Sequence, residues 1–458
     1  MLLLFAIFLS CLALPAAAAT LVIDGATLMD GGEARVIVED GRIVAVGDSA
    51  LPLPGDAVVL DAQGNWLIPG LIDAHVHLGR SGNLYSSPSG LDLTSLRDFA
   101  TVEMPAHRAA LATMLARYLA SGVTGVVDRG GPVWTLDLER ERGPRIAASG
   151  PMLTSYAQDG RQGEDEIGRH VSGPEEARAL VRANGAAGVD LIKVHFLPRA
   201  GELDAARDWL VAAADEAHAL GLPISAHATR LAHARIVIDA GFDQLVHSID
   251  DFPVDEALVE RMAARGVVYT TTLLVYEGYR EVFLDGLDYS DFELALGDPD
   301  VIETLDDLAY LPDRLLPRWL RPHRGRMREP VATPFWATHN VQTVMADTLR
   351  RLAAAGVTIA AGTDAGTVGN LHGPALHREL ELMVAAGLTP RQALRAATAG
   401  GAAAMNRDDI GVIAPGMLAD MVLLDADPLA DITNTRRIWR VIKAGTVHHP
   451  ATLLTALN

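Results

Sequence analysis

Short apolar segments alternate with longer amphipathic segments through the middle of this chain of 458 residues. The intervals between the apolar segments carry helical spacing, as in residues 105–122 and 203–221. Near-continuous apolar strands that alternate with helices are typical of a parallel sheet. Eight of them predict an α/β protein built as a closed (β/α)8 barrel, or TIM barrel. The predicted strands are residues 71–77, 122–128, 144–149, 189–195, 222–227, 243–247, 266–272 and 357–364.

An open, doubly wound sheet is the alternative arrangement of the same elements. In that fold a glycine-rich loop with the pattern GxGxxG follows the first strand and binds phosphate groups. No such pattern follows residues 71–77, so the barrel is favoured.

The two ends of the chain share a β pattern that differs from the middle. Residues 20–47 contain short β-branched runs divided by Asp-Gly and Gly-Gly turns, which are typical of hairpins. Residues 416–429 and 438–450 have the same character. We therefore predict that both ends meet in one small sheet domain.

The first residues of the chain form an apolar segment without a charged side chain. Residues 1–19 end in four alanines, which predicts a secretory signal peptide cleaved near Ala18 or Ala19 and a secreted or periplasmic protein. A membrane anchor is the alternative, but the apolar run before Pro15 is short for a membrane span. Cys11 is the only cysteine, so the chain without its signal peptide has no disulfide and no thiolate ligand.

The chain is strongly acidic, with 58 Asp and Glu against 38 Lys and Arg and a net charge of −20. Such a surface repels phosphate backbones, so nucleic acid is excluded as an expected partner. We expect a small-molecule substrate instead, and the sequence leaves a homo-oligomer open.

A long insertion separates the last two predicted strands. Residues 276–336 are rich in aromatic residues, Asp and Pro, and they are too many for one helix. On a barrel, an insertion of this kind commonly serves as a lid or a substrate-binding element. The alternative is an extra helical pair that packs on the outside.

Side chains that bind metals stand at the ends of five predicted strands. His75 and His77 are two residues apart, so both project from the same side of the first strand. The carboxyl ends of barrel strands form one rim, where the active site lies. Buried polar groups are costly unless they are paired or bind metal, and imidazole with carboxylate suits Zn²⁺, so a metal site is predicted there. The other polar residues at strand ends are Lys193, His227, His247 and Asp364.

Eight motifs of the chain resemble the amidohydrolase superfamily, in its imidazolonepropionase-like and prolidase-like branch. In chain order they are PGLIDAHVH, GVTGVVDRGG, GVDLIKVHF, ISAHAT, DQLVHS, AAGTDAG, HRELELMVAAGLTPRQALRAATAGGAAAMN and GVIAPGMLADMVLLDADP. The resemblance implies a distorted (β/α)8 TIM barrel with a small β-sandwich domain formed by both chain ends. The implied divisions are a signal peptide at 1–19, the β-sandwich at 20–66 and 409–458, and the barrel at 67–408 with 276–336 as a probable lid insertion.

The resemblance also implies a centre of two divalent metal ions, for which zinc is expected. Lys193 matches a lysine that reacts with CO₂ to give a carbamate, which bridges both ions. An ammonium group would repel two dications, whereas a carbamate is an anion with two ligand oxygens. The residues that match the other ligands are His75, His77 and Asp364 for the more buried ion, and His227 and His247 for the second.

The activity implied by the resemblance is hydrolysis of C–N amide bonds. Two dications lower the pKa of a shared water, so that a bridging hydroxide exists near neutral pH and attacks the carbonyl. Asp364 then takes the proton and passes it to the departing amine. Residues 194–204 depart from the short Gly-rich turn of many prolidase-like relatives, which leaves dipeptide specificity open. The expected substrate is a dipeptide or an N-acyl amino acid, and its candidate contacts are Tyr85, Tyr276, Tyr279 and His372.

Two other functions are compatible with the same residues. A lactonase or a phosphotriesterase-like esterase would use the same binuclear site on an ester. A non-catalytic relative would keep the fold as an interaction scaffold, but such proteins usually lose ligands, and this chain keeps every matched position. Metal analysis of the purified protein distinguishes a scaffold from an enzyme, because a scaffold needs no stoichiometric metal.

Overall fold

The computed structural model of the protein describes residues 20–85, 99–138, 143–156, 163–199, 201–283, 287–311 and 339–455. The predicted signal peptide at 1–19 lies outside these residues, as do residues 284–286 and 312–338 of the predicted lid. The strands of the described residues are β1 (Leu21–Leu28), β2 (Glu33–Glu39), β3 (Arg42–Gly47), β4 (Val58–Asp61), β5 (Trp66–Pro69), β6 (Leu71–Val76), β7 (Val123–Asp128), β8 (Arg145–Ala148), β9 (Met152–Thr154), β10 (Gly168–His170), β11 (Ile192–His195), β12 (Ile224–His227), β13 (Gln244–Val246), β14 (Val268–Thr270), β15 (Thr358–Ala360), β16 (Met421–Leu424), β17 (Ile438–Lys443) and β18 (Thr446–His448).

The α-helices lie mostly between the parallel strands. They are α1 (Met104–Ala120), α2 (Pro174–Ala186), α3 (Leu203–Ala219), α4 (Leu231–Asp239), α5 (Glu256–Ala264), α6 (Leu273–Phe283), α7 (Asp291–Leu296), α8 (Pro299–Asp306), α9 (His339–Ala354), α10 (Ala375–Ala385), α11 (Pro390–Arg395), α12 (Gly401–Ala404) and α13 (Pro450–Thr455). Among the described residues, no helix combines the length and the apolar character that a membrane span requires.

Helix starts follow from capping residues in the sequence. The side chain of Asp255 accepts a hydrogen bond from the backbone N–H of Leu258 at the start of α5. At α11, Thr389 and Gln392 form a reciprocal capping box around a proline in the first turn. Each cap satisfies backbone N–H groups that the helix itself leaves free, and a cap of this kind contributes about 1 kcal/mol.

Strands from both chain ends form one sheet. Its order is β18-β17-β16-β5-β1-β2-β3, with β4 beside β1. Strand β5 joins the two ends, because it pairs in parallel with β1 and antiparallel with β16. Buried apolar side chains from both ends, among them Ile23, Leu67 and Met421, pack in one cluster of this sheet.

The middle of the chain forms two parallel sheets, of order β6-β7-β8 and β10-β9-β11-β12-β13-β14-β15. Backbone hydrogen bonds also run between the sheets. The N–H of Ala74 in β6 donates to the carbonyl of Ala361, just past β15, at 2.8 Å. The N–H of Asp190, just before β11, donates to the carbonyl of Ala148 in β8 at 2.9 Å. The middle of the chain is therefore α/β with parallel strands, and its first strand lies beside its last.

Two large apolar clusters hold the helices against the parallel strands. In one cluster, Leu210 of α3 and Val237 of α4 pack with Ile224 of β12, all fully buried. In the other, Tyr118 of α1 and Leu380 of α10 are also fully buried. Complete burial of one such side chain stabilises the fold by about 1.5–3 kcal/mol. The strands are therefore fixed from outside, and their carboxyl ends are free to carry polar groups.

The observed strands fall inside each of the eight predicted segments, but some are shorter. Strand β15 ends at Ala360, whereas the prediction ran to Asp364. A Cβ atom on Gly362 would lie 2.7 Å from the Cβ of His75, so the chain leaves the strand where it packs closely on β6. Strands β9 and β10, of three residues each, were not predicted.

Candidate metal centre

The four histidines predicted as ligands lie together at the carboxyl ends of the parallel strands. The ring centroid of His75 lies 4.5 Å from that of His247 and 5.3 Å from that of His77. The ring of His227 lies 4.3 Å from that of His247. The ends of strands β6, β12 and β13 therefore bring four imidazoles together.

The carboxylate of Asp364 completes the group. Its Oδ1 atom lies 3.2 Å from Nε2 of His75 and 2.9 Å from Nε2 of His77. Possible ligand atoms of His75, His247 and Asp364 all lie within 4.8 Å of one another. A single divalent ion fits among donors at this spacing, since it binds imidazole nitrogen and carboxylate oxygen at roughly 2.0–2.2 Å.

Two of these residues have an unusual backbone conformation. The φ angle of His247 is 72° and that of Asp364 is 58°, both in the left-handed region. Such a conformation costs on the order of 1–3 kcal/mol for a residue with a side chain, and it clusters at functional sites. Hydrogen bonds hold Asp364 there, because its N–H donates to the carbonyl of His75 at 2.8 Å and its carbonyl accepts from Thr367 Oγ1 at 2.7 Å.

Hydrogen bonds at Nδ1 orient two of the rings. His77 Nδ1 lies 3.0 Å from the carbonyl oxygen of Gly130, which can only accept, so this nitrogen donates. The Nε2 atom of His77 faces Oδ1 of Asp364. His247 Nδ1 lies 2.9 Å from Oγ1 of Thr272. Partners of this kind fix the tautomer and the ring orientation of metal-binding histidines.

Asp73 connects strand β6, which carries His75, to the segment that contains Asp364. Its carboxylate accepts hydrogen bonds from Thr363 Oγ1 at 2.6 Å, from Thr363 N at 3.0 Å and from His75 N at 3.2 Å. Burial raises the pKa of Asp73 to about 7, against these hydrogen bonds. Asp73 thus sets the relative position of His75 and Asp364 without facing the other ligands.

Several ligand atoms are buried and without a hydrogen-bond partner in the described part of the chain. They belong to both ring nitrogens of His75, to Nδ1 of His227 and to Oδ1 of Asp364. A buried polar atom left in this state costs about 1–3 kcal/mol. Divalent ions would satisfy one nitrogen of each ring and the Asp364 oxygen. Imidazole with carboxylate is a donor set of zinc, so the residues fit the predicted metal.

The charge states of the centre also suit metal binding. Burial lowers the pKa of His75 and of His227 well below the ordinary value, and it lowers the pKa of His247 to about 3. These rings are therefore neutral and keep a free electron pair. Burial alone would raise the pKa of Asp364, but the neighbouring His77 and His247 outweigh it and lower that pKa. Asp364 is therefore an anion.

Lys193 lies inside the protein at the same rim. Its side chain projects from β11 and only 1% of the residue is exposed. Burial, followed by the charge of Arg129, lowers the pKa of Lys193 well below its ordinary value. The amine is therefore uncharged, which removes the repulsion that an ammonium group would exert on bound cations.

His195 is a residue of this rim that the sequence analysis did not select. Its ring centroid lies 4.2 Å from that of His227, and its Nδ1 lies 2.9 Å from the hydroxyl of Tyr156. A signal for it was present, because His195 follows Lys193 by two residues, as His77 follows His75, and so projects on the same side. The row of adjacent imidazoles thus extends from His75 through His247 and His227 to His195.

The candidate substrate contacts are mostly bonded to other protein groups. The hydroxyl of Tyr85 donates to Asp307 at 2.7 Å, and that of Tyr276 donates to Asp250. His372 uses both ring nitrogens, Nδ1 with the hydroxyl of Tyr118 at 2.7 Å and Nε2 with the carbonyl of Arg80 at 2.7 Å. The side chain of Tyr279 lies outside the described residues. Substrate contact by these four residues stays a prediction.

Comparison with known proteins identifies the family of the chain. The profile of the Amidohydrolase family matches residues 66–447. An imidazolonepropionase from Streptomyces griseus subsp. griseus is 28% identical over 413 residues, which cover 86% of each chain.

Solved structures with this fold include several hydrolases. A protein from Bifidobacterium longum assigned as a prolidase is 26% identical, with a TM-score of 0.67 over 96% of this chain and 98% of that one. Molinate hydrolase shares the fold at 23% identity, with a TM-score of 0.69 over 95% of this chain and 96% of that one. The resemblance stated from the sequence motifs is confirmed. The chain therefore belongs to the amidohydrolase family, as a metal-dependent amidohydrolase similar to imidazolonepropionases and prolidases.

Proposed function

We propose that the protein hydrolyses the C–N amide bond of a small substrate, a dipeptide or an N-acyl amino acid, with two divalent metal ions at the candidate centre. One observation carries the proposal: His75, His227 and Asp364 present buried ligand atoms that lack a partner in the described part of the chain. The prolidase assignment of a relative that is 26% identical supports the dipeptide class of substrate.

The side chains of the row would hold the two ions between them, and zinc is the ion that their donor atoms favour. Lys193 is proposed to bridge the ions as a carbamate. An uncharged buried amine supports this step, because only its free electron pair can bond to the carbon of CO₂, with loss of one proton from nitrogen. The other proposed ligands are His75, His77 and Asp364 for the first ion, and His227 and His247 for the second.

When bound, divalent cations polarise a carbonyl group and lower the pKa of water. The chain itself supplies the proton transfer. The Asp364 carboxylate is ionised and stands at the rim next to two imidazoles, so it can accept a proton from the attacking water. Asp364 then delivers that proton to the leaving nitrogen, which departs as a neutral amine.

His195 is the half-buried end of the imidazole row, and we assign it to the substrate side of the centre. Its Nδ1 is bonded to Tyr156, which leaves Nε2 for a polar group of the substrate. A carbonyl or carboxylate oxygen suits this nitrogen. His195 would then orient the amide toward the second ion.

We also propose the architecture and the cellular location that the sequence implies. The two parallel sheets form one distorted (β/α)8 barrel over residues 67–408, supported by the backbone bond between Ala74 and Ala361. The terminal strands form a β-sandwich domain from residues 20–66 and 409–458. The protein is exported by its signal peptide and acts outside the cytoplasm on a small-molecule substrate.

The test is a hydrolysis screen of the purified zinc-loaded protein, together with its metal content. The panel holds dipeptides, N-acyl amino acids, lactones and phosphotriesters, and the matched control is Asp364→Asn. We expect two metal ions per chain and turnover of amides that is lost in the control. Turnover of esters alone would replace the proposal by the lactonase or phosphotriesterase reading. A protein without stoichiometric metal or activity would be a scaffold.

A further inference from the structure

Thr272 occupies the position where a helix start normally receives its cap. It immediately precedes α6, and a threonine there commonly accepts a hydrogen bond from a backbone N–H of the first turn. In this protein, Oγ1 of Thr272 lies instead 2.9 Å from Nδ1 of His247. Thr272 is 1% exposed, so water is not an alternative partner for its hydroxyl.

Glu379 of α10 receives the groups that Thr272 leaves free. Its Oε1 accepts from Oγ1 of Thr271 at 2.6 Å and from the N–H of Leu273 at 3.1 Å. Its Oε2 accepts from the N–H of Leu274 at 2.8 Å. The carboxylate therefore binds residues on both sides of Thr272.

The carboxylate of Glu379 is buried at a point where backbone donors surround it. Glu379 is fully buried, and its neighbour Arg378 pairs with Glu277 and Glu381 instead. Burial of a carboxylate is costly unless donors surround it. The start of α6 provides such donors, because its free N–H groups carry roughly half a positive charge. A side chain with two acceptor oxygens at this point therefore meets donors that a single hydroxyl could not all satisfy.

We propose that Glu379 is a positioning residue for the metal ligand His247. By capping α6 from a different helix, Glu379 frees the Thr272 hydroxyl to hold the His247 ring and its tautomer. The inference rests on the proposed function, since it takes His227 and His247 as the ligands of the second ion.

The test measures zinc binding to the metal-free protein by titration calorimetry, which does not depend on activity. The variants are Glu379→Gln and Thr272→Val, with Thr272→Ser as the conservative variant. Glutamine offers one acceptor oxygen in place of two, and valine removes the hydroxyl at nearly constant volume. Loss of such an outer partner typically weakens metal binding by about 10–100-fold, and we expect this for the second zinc ion. Thr272→Ser should restore parental binding.

The control is Glu381→Gln, which removes a carboxylate from the same helix without touching residues 271–274. It should bind both zinc ions as the parent does. The double variant Glu379→Gln/Thr272→Val should bind zinc no more weakly than Thr272→Val alone, because both changes act through His247. The ¹⁵N chemical shifts of His247 should report a changed tautomer balance in Glu379→Gln.

A purely structural role has a different signature. Glu379→Gln would then lower the melting temperature of the metal-free protein and leave the affinity for both ions unchanged, which overturns the inference. If Glu379→Gln does not fold, unchanged zinc affinity in Thr272→Val overturns it equally. A parent protein that binds no zinc would instead reject the proposed function, so the two failures are distinct.

Discussion

Oδ1 of Asp364 lies 2.9 Å from Nε2 of His77, although one residue follows the last parallel strand and the other follows the first. The contact exists because the segment after β15 lies against β6, with the N–H of Asp364 donating to the carbonyl of His75. This contact places Asp364, the only carboxylate of the six proposed ligand residues, beside the imidazoles. The first prediction concerns this carboxylate.

Asp364→Asn should give a folded, largely metal-loaded and nearly inactive protein. The amide keeps the shape and one weak ligand oxygen, but it cannot accept a proton. General acid–base catalysis is typically worth ~10²–10⁴-fold, so turnover of the best amide substrate should fall by at least ~10²-fold. Turnover, metal content and circular dichroism of parent and variant are the measurements. A variant that keeps more than about a tenth of parental turnover contradicts the assignment of Asp364 as proton shuttle.

Lys193→Ala should lose most activity and most of the second metal ion. The alanine removes the buried amine, which lies on β11 at the rim of histidines, and with it the proposed bridge. Short carboxylic acids should rescue part of the turnover, because a carboxylate offers the same two oxygens as a carbamate. Metal content by mass spectrometry and turnover with added acetate or formate are the readouts. Two ions per chain with undiminished turnover would exclude the bridging role.

His195→Phe should impair substrate binding more than metal binding. Phenylalanine keeps a ring that packs against His227. It loses the hydrogen bond between Nδ1 and Tyr156, and it loses the Nε2 atom. We expect KM for amide substrates to rise by about 10-fold, the loss of roughly one hydrogen bond to a polar group, with two metal ions retained. Steady-state kinetics and metal analysis decide it. Loss of the second ion in this variant would make His195 a ligand instead.

The contribution of Glu379 to the stability of the metal-free protein should fall as the pH rises from 5 to 8. Buried histidines and Lys193, whose pKa values are lowered, act in the opposite direction. Burial raises the pKa of Glu379 to about 7 from its ordinary 4.5, so the folded chain binds this proton more tightly than the unfolded chain. Its contribution to the free energy of unfolding is therefore full below pH 4.5 and is lost as the pH rises through 7, at most on the order of 3 kcal/mol.

Glu379→Gln should remove this contribution, so the free energy of unfolding of the parent relative to the variant should fall as the pH rises. Asp73, whose pKa burial also raises to about 7, acts equally in both proteins. Urea unfolding of parent and variant at pH 5, 6, 7 and 8 gives both slopes. Equal slopes in the two proteins would mean that Glu379 does not titrate in this range.

The ligand residues could be predicted from the sequence because their signals are local. A buried strand is recognisable from a short apolar run, and alternation of side chains puts His75 and His77 on one side of it. The same reasoning locates Lys193, His227 and His247 at strand ends. Each of the eight predicted segments contains an observed strand for the same reason, since burial on both faces leaves a continuous apolar signature.

The sequence by itself therefore determined which residues can form the centre, and the tertiary structure decided how they are held. The left-handed Asp364 donates its N–H to the carbonyl of His75, and Thr272 bonds to His247 beside the carboxylate of Glu379. These contacts join segments that are far apart in the chain, and their geometry depends on how helices and strands pack. Periodicity reports only which side of its own strand or helix a residue faces, so it carries no information about such contacts.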